Sequence, residues 1–182
     1  MKIGIILGSV RQGRLGATVA QWVVDQVATR DDADYVLLDL AAFTLPILTS
    51  ATVPGAANRQ YDTPEVTAWS QAIDACDGFL FVTPEYNHSV PGAFKNAFDS
   101  IGPEWARKGV GIVSYGAEGG VRAVEHWRQI CANFHMVVVR PQVSLSTFLE
   151  WSDGEFTPNQ RRPSELTNLV NEVVSITTCL RS

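Results

Sequence analysis

The chain has 182 residues, of which 46% are apolar and 18% charged, a balance that predicts a globular protein and argues against disorder. The net charge is −5 and no lysine- or arginine-rich run occurs, which argues against a nucleic-acid partner. The apolar runs are too short for a membrane span, and the first residues are too strand-like for a signal peptide. The cysteines are widely spaced and odd in number, so we expect buried, reduced thiols, no disulfide or metal site, and a cytoplasmic protein. They are Cys76, Cys131 and Cys179.

Apolar periodicity alternates between strand and helix along the chain, and no repeat or linker divides it, so residues 1–182 predict a single domain. Ile3–Leu7 is a continuous apolar run, typical of a strand that is covered on both faces. Apolar residues from 15 to 27 then recur at helical spacing. Tyr35–Leu38 predicts the second strand, and an irregular segment follows over residues 41–63.

The middle of the chain repeats this alternation. Apolar residues from 66 to 76 predict a helix that is capped by Asp62 or Thr63 and has Pro64 in its first turn. Gly78–Thr83 predicts the third strand, which stops at the following proline. The pattern therefore returns to a strand directly after each helix.

The second half of the chain predicts two further helices and two further strands. A helix begins near Pro91, and Val110–Ser114 forms the fourth strand. Apolar residues from 121 to 134 predict another helix, and Met136–Val139 is the fifth strand. A last helix, with Ser164 as its cap, follows a second irregular segment over residues 149–162.

Strict alternation of strands and helices predicts an α/β fold with a doubly wound parallel sheet and helices on both faces. Five strands joined by right-handed crossovers fit the flavodoxin-like order 2-1-3-4-5. Ligands of such sheets bind beyond the carboxyl ends of the strands, where the winding direction reverses. The loops after the first, third and fourth strands are therefore the candidate site.

The loop after the first strand combines glycines with basic side chains. Its GxxxxG spacing begins at Gly8, but the next two residues are not the lysine and hydroxyl residue of a nucleoside triphosphatase. Glycine-rich backbone, a helix N-terminus, the Ser9 hydroxyl and the charges of Arg11 and Arg14 suit a phosphate group. A tight turn with solvated arginines is the alternative interpretation.

The loops after the third and fourth strands are polar and restricted in conformation. Residues 83–92 carry two prolines, an aromatic ring, an amide and hydroxyls, a combination that suits the edge of a flat heteroaromatic ring. Residues 114–120 begin a helix and contain glycines that let backbone lie close to a ligand. Ordinary strand–helix connections would explain either loop alone, but they explain poorly why all three loops are constrained and polar.

The three loops resemble those of the NADPH-dependent FMN reductase family. The matching motifs are GSVRQGR, PEYNHSVPGAFKNAFD and SYGAEGG, in chain order, within residues 2–140. The resemblance implies non-covalently bound FMN, NADPH or NADH as electron donor, and a homodimer or homotetramer. It also implies hydride transfer to flavin N5 and then to a small acceptor, such as a quinone, flavin, azo compound or oxidised metal ion, in ping-pong order.

The same resemblance implies a set of cofactor-binding residues. Those expected at the phosphate are Ser9, Arg11, Gln12, Gly13, Arg14, Leu15, Gly16, Ala17 and Thr18. Those expected at the isoalloxazine ring are Pro84, Glu85, Tyr86, Asn87, Ser89, Ser114, Tyr115, Gly116, Gly119 and Gly120. Many members carry a serine, and often an asparagine, within the segment that here covers residues 15–18. We expect Arg14 or Thr18 to compensate.

No catalytic side chain and no metal ligand is expected, because the flavin carries the chemistry and backbone N–H groups can stabilise its reduced form. His88 lies in the second loop and titrates near neutral pH, but a solvated or interface histidine is a better interpretation than a catalytic one. The two irregular segments are expected to form the acceptor pocket and the subunit interface. A flavin-binding electron carrier or redox sensor that acts on a protein partner is the alternative function, and a phosphate-binding regulatory module is a third. The modest acidity of the chain favours the enzyme over the carrier.

Overall fold

Five parallel strands form the central sheet of the protein, and the computed structural model describes residues 1–182. The strands are β1 (Lys2–Leu7), β2 (Asp34–Asp39), β3 (Gly78–Pro84), β4 (Gly109–Gly116) and β5 (Val137–Ser146). Their order across the sheet is β2-β1-β3-β4-β5. The predicted flavodoxin-like order is thereby confirmed.

Five α-helices cover the two faces of this sheet. They are α1 (Gly16–Val27), α2 (Pro64–Asp74), α3 (Gly92–Asp99), α4 (Val121–Ala132) and α5 (Arg162–Arg181). Helices α1 and α5 pack on one face, and α2, α3 and α4 pack on the other, where three tryptophans are fully buried. None of the helices combines the length and the apolar content that crossing a membrane requires.

The continuous apolar runs of the central strands follow from burial on both faces. Ile5 packs with α1 and α5, whereas its neighbour Ile6 packs with the opposite layer. Leu80 and Phe81 divide between the two layers in the same way. Because successive strand side chains point to opposite faces, a strand covered on both sides needs apolar residues at every position.

The fifth strand is longer than the sequence predicts. It runs through Pro141 to Ser146, and its pairing with β4 shifts register between Val110 and Ile112. A proline is tolerated because β5 is an edge strand, where one missing N–H breaks no ladder on the open side. The second irregular segment also contains a short antiparallel pair, β6 (Trp151–Ser152) and β7 (Glu155–Phe156).

Three local predictions need correction or a choice. Ser164 does not cap the last helix, since α5 begins at Arg162 and the Ser164 hydroxyl donates to the carbonyl of Arg161 at 2.8 Å. Thr63, and not Asp62, caps α2. Cys179 is exposed near the end of α5, although all three cysteines are unpaired as expected.

A buried carboxylate fixes the end of the 41–63 segment. Glu104 is 0% exposed, and its Oε1 accepts hydrogen bonds from Tyr61 Oη and Ser70 Oγ, both at 2.6 Å. Its Oε2 accepts from the Gly102 N–H at 3.0 Å. Three donors therefore replace the water that a buried carboxylate would lose.

Replacing Glu104 with glutamine is expected to lower the free energy of unfolding by about 1–3 kcal/mol. In one amide orientation an N–H faces the Gly102 N–H, and in the other the two hydroxyls lose their acceptor. Urea denaturation measures the change. The control is Glu172→Gln, which alters an exposed carboxylate on α5. Equal stabilities of the two variants would contradict this role of Glu104.

Candidate functional site

The carboxyl ends of β1, β3 and β4 surround one pocket of about 330 Å³. Its lining residues are Ser9, Arg11, Gly13, Arg14, Leu15, Pro84, Glu85, Tyr86, Tyr115, Gly116 and Thr147. All of them except Thr147 are among the residues that the sequence predicts. Thr147 was missed because β5 was expected to end at Val139, whereas the longer strand brings the Thr147 N–H to 2.9 Å from the Gly116 carbonyl.

The backbone of the first loop has unpaired donors beside this pocket. None of the N–H groups from Ser9 to Gly16 donates a hydrogen bond to another backbone group, and α1 begins where this run ends. Arg11 is exposed and has no ion-pair partner, with its guanidinium 5.8 Å from the centre of the Tyr86 ring. Free N–H groups at a helix N-terminus beside an uncompensated cation form an anion-binding arrangement.

Arg14 differs from Arg11 because the chain already occupies its guanidinium. Its Nη1 donates to the Ser9 carbonyl at 2.6 Å, and its Nη2 pairs with Asp39 at 2.5 Å. The other Asp39 oxygen accepts from the Ala41 N–H at 3.0 Å. Arg14 therefore connects the first loop to the end of β2. Arg11 is the cation of this loop that has no ion-pair partner.

The second loop contains a two-residue turn in an unusual conformation. Tyr86 and Ser89 exchange both backbone hydrogen bonds at 3.0 Å, and the residues between them, Asn87 and His88, have φ values of 49° and 65°. Two consecutive non-glycine residues in the left-handed region are uncommon. His88 is exposed and does not line the pocket, while the Ser89 hydroxyl shares a hydrogen bond with His126 Nδ1 at 2.8 Å.

Glu85 ties the second loop to the start of α4. Its carboxylate accepts from the Arg122 N–H at 3.0 Å and from Arg122 Nη1 at 2.8 Å. Burial raises the pKa of Glu85, but the hydrogen bonds and charge of Arg122 outweigh burial and hold this pKa below its usual value. The carboxylate is thus ionised and neutralised by the helix, and it brings no free negative charge into the pocket.

The third loop owes its shape to a buried serine and a glycine. Ser114 is 0% exposed, and its hydroxyl donates to the Gly119 carbonyl at 2.7 Å. Gly120 has a φ of 74°, and a Cβ there would lie 2.9 Å from the Ser114 Cβ. The Ser114 side chain and the Gly120 backbone therefore shape the loop from inside, and neither residue lines the pocket.

The remaining predicted residues lie on the same loops without lining the pocket. They are Gln12, Gly16, Ala17, Thr18, Asn87, Ser89, Ser114, Gly119 and Gly120. Gly16 and Ser114 are buried, whereas Gln12 and Thr18 are exposed. Contacts of these residues with a cofactor stay a prediction.

A doubly wound parallel sheet with a donor-rich pocket at the carboxyl ends of its central strands defines a flavodoxin-like fold whose pocket suits an anionic ligand. The sequence model of one family matches residues 1–150 of this chain. The chain belongs to that family, which is described as NADPH-dependent FMN reductase and comprises oxidoreductases. The resemblance of the three loop motifs is thereby confirmed.

Named relatives agree with this membership. The NAD(P)H-dependent FMN reductase ntnL of a Nectria species is 42% identical over 126 residues, which are 67% of this chain and 63% of that protein, so the match spans less than two thirds of this relative. A 2-hydroxy-1,4-benzoquinone reductase of a Burkholderia species is 32% identical over 149 residues, 76% of this chain and 74% of the relative. The structure of FerB, a flavoenzyme NAD(P)H:(acceptor) oxidoreductase from Paracoccus denitrificans, has a TM-score of 0.74. It covers 98% of this chain and 97% of its own at 19% identity, a likeness of fold.

Replacing Glu85 with glutamine is expected to lower the free energy of unfolding by about 1–2 kcal/mol at neutral pH. Because folding lowers the pKa of Glu85, its charged form stabilises the protein above the ordinary carboxyl pKa of about 4.3. This contribution is lost as the pH falls through the still lower pKa of the folded state. Denaturation of both proteins at neutral pH and near pH 4 measures the difference, which should shrink at the lower pH. A difference that stays constant would contradict the ion pair as its source.

Proposed function

We propose that this chain, acting as a single FMN-binding domain, holds FMN in the pocket at the carboxyl ends of β1, β3 and β4 and reduces a small acceptor with electrons from NADPH or NADH. The observation that carries the proposal is the donor cluster of the first loop, with its unpaired N–H groups from Ser9 to Gly16 and the free charge of Arg11. A phosphate monoester is a dianion that only accepts hydrogen bonds, so it complements this cluster. Membership of the FMN reductase family supports FMN as the carrier of that phosphate.

Each of the three loops has a separate part in this proposal. Ser9, Arg11 and the backbone of residues 12–18 hold the phosphate. Residues 84–87, Ser89 and the loop from Ser114 to Gly120 border the isoalloxazine ring. Thr147 joins them as an additional contact, supported by its place in the pocket wall.

When bound, FMN supplies a flavin that accepts hydride from the nicotinamide at N5 and passes electrons on. The chain binds and orients the flavin, and the N-terminus of α4 directs positive potential toward the third loop, where it would stabilise negative charge on a ring. The pocket wall contains Glu85, Tyr86 and Tyr115, and the Glu85 carboxylate is engaged by Arg122. In this proposal none of them acts as an obligatory acid or base, because the flavin carries the chemistry.

We further propose that quinones, free flavins, azo compounds or oxidised metal ions are the acceptors and that turnover is ping-pong, the nicotinamide leaving before the acceptor binds. An open pocket suits successive flat ligands, and the name of the Burkholderia relative supports a quinone. Apolar side chains are exposed in the two irregular segments and directly before the second, with Ile47 at 73%, Val53 at 70%, Phe148 at 78% and Leu149 at 79%. These side chains support a homodimer or homotetramer as part of the proposal. The unpaired cysteines support a cytoplasmic location.

The purified protein is expected to be yellow, or to become so with added FMN. Anaerobic stopped-flow mixing with NADPH or NADH should bleach the flavin absorbance, and a quinone should then restore it. A protein that binds no FMN would contradict the proposal. A bound flavin that neither nicotinamide reduces would indicate an electron carrier instead.

Replacing Arg11 with alanine is expected to weaken FMN binding about 10- to 150-fold, which corresponds to the loss of about 1.5–3 kcal/mol from a charge-assisted hydrogen bond. Riboflavin, which lacks the phosphate, should lose little affinity. Isothermal titration of the flavin-free protein measures both. Arg140→Ala, which removes an exposed arginine of β5, is the control. Unchanged FMN affinity in Arg11→Ala would mean that the phosphate lies elsewhere.

A further inference from the structure

The hydroxyl of Tyr115 is buried without a hydrogen-bond partner. The residue is 5% exposed, and its Oη is closed to solvent and unpaired. Although Tyr115 belongs to β4, this hydroxyl reaches the start of α1, since a Cβ on Gly16 would lie 2.3 Å from Oη. An unsatisfied buried hydroxyl lowers stability by about 1–3 kcal/mol. A tyrosine at this position is therefore explained best if its hydroxyl gains a hydrogen-bond partner in another state of the protein.

Ser9 is the polar neighbour that can become this partner. Burial raises the pKa of Tyr115, whereas the nearby Ser9 hydroxyl and the Gly16 N–H, neither of which forms a hydrogen bond with Oη, lower it. Ser9 is 1% exposed, lines the pocket, and shares a hydrogen bond of 2.9 Å with Tyr86 Oη. Because Tyr115 Oη is itself closed to solvent, it can influence a ligand through Ser9 but cannot touch one directly.

A bound phosphate would fix the direction in which the Ser9 hydroxyl donates its proton. A serine hydroxyl has one proton to donate and two lone pairs that accept. A phosphate dianion offers no donor, so Ser9 has to give it that single proton. Both lone pairs of Ser9 Oγ then face inward, and the two hydroxyls on that side belong to Tyr86 and Tyr115.

We propose that Tyr115 is a positioning residue for the anion site: with phosphate bound, its hydroxyl and that of Tyr86 both donate to Ser9 Oγ, which directs the Ser9 proton at the phosphate. This role rests on the proposed function, because it takes the phosphate of FMN to lie at the first loop. It satisfies the unpaired hydroxyl in the bound state. It also explains the glycine at position 16, where a side chain would displace Tyr115 Oη.

Replacing Tyr115 with phenylalanine is expected to weaken FMN binding about 5- to 10-fold and to leave riboflavin binding unchanged. The ratio of the two affinities reports on the phosphate alone, and titration of the flavin-free protein measures it. The melting temperature of the flavin-free variant should equal or exceed that of the wild type, because the substitution removes an unsatisfied group. A purely structural tyrosine would lower this temperature and affect both flavins alike.

Two further variants separate the route through Ser9 from other effects. In a Ser9→Ala background, Tyr115→Phe should not change the FMN-to-riboflavin affinity ratio any further, since the two residues act as one unit. Tyr35→Phe removes a hydroxyl that donates to Asp32 at 2.8 Å, near the start of the edge strand β2, and should leave the ratio unchanged.

Two results would overturn the role of Tyr115: an FMN-to-riboflavin affinity ratio that Tyr115→Phe leaves unchanged, or an effect on this ratio that persists without the Ser9 hydroxyl. The wild-type protein tests the underlying proposal separately. If it binds riboflavin as tightly as FMN, the phosphate site at the first loop fails, and the role of Tyr115 fails with it. A preference for FMN in the wild type that Tyr115→Phe leaves intact would reject the role of Tyr115 alone.

Discussion

The parallel pairing of β1 with β3, and of β3 with β4, is the constraint on which the site depends. Leu7 lies opposite Val82, and Val82 lies opposite Val113, so the three strands end close together, although β3 and β4 continue to Pro84 and Gly116. The Gly8 N–H continues the ladder by donating to the Val82 carbonyl at 2.9 Å. Loops far apart in sequence therefore leave the sheet side by side, and residues of all three loops line one pocket.

Most charged side chains around the pocket are paired with an opposite charge, and Arg11 is not. Asp39 neutralises Arg14, and Arg122 neutralises Glu85, so each of these charges serves to hold a loop in place. Arg11 alone keeps an uncompensated charge at the pocket wall. With the free N–H groups of the first loop, this leaves an excess of donors over acceptors, which favours an anionic ligand. The lower pKa of Glu85 shows that the ion pair outweighs burial there.

Much of the fold could be predicted because burial on both faces makes each central strand a continuous apolar run, which is readable without a structure. The length of β5 could not be predicted, since Pro141 interrupts the apolar pattern of this edge strand. The strand continues beyond Pro141 because it pairs with β4. Thr147 entered the pocket unpredicted for that reason. Ser164 was wrong as a cap because the buried ion pair of Arg162 with Glu150, a tertiary contact, accompanies an earlier start of α5.

Side-chain directions at the site depend on packing that no local pattern encodes. Neighbouring residues Ser114 and Tyr115 follow the alternation of a strand, so one hydroxyl points to the Gly119 carbonyl and the other to the start of α1. The first loop is shaped by aromatic side chains from other elements, since a Cβ on Gly8 would lie 2.1 Å from the Phe94 ring on α3. Glycine is thus required at this end of β1 by what packs against it. The glycine-rich spacing suggests a phosphate loop. At Gly8 and Gly16, however, glycine is required because Phe94 and Tyr115 pack too closely for a Cβ.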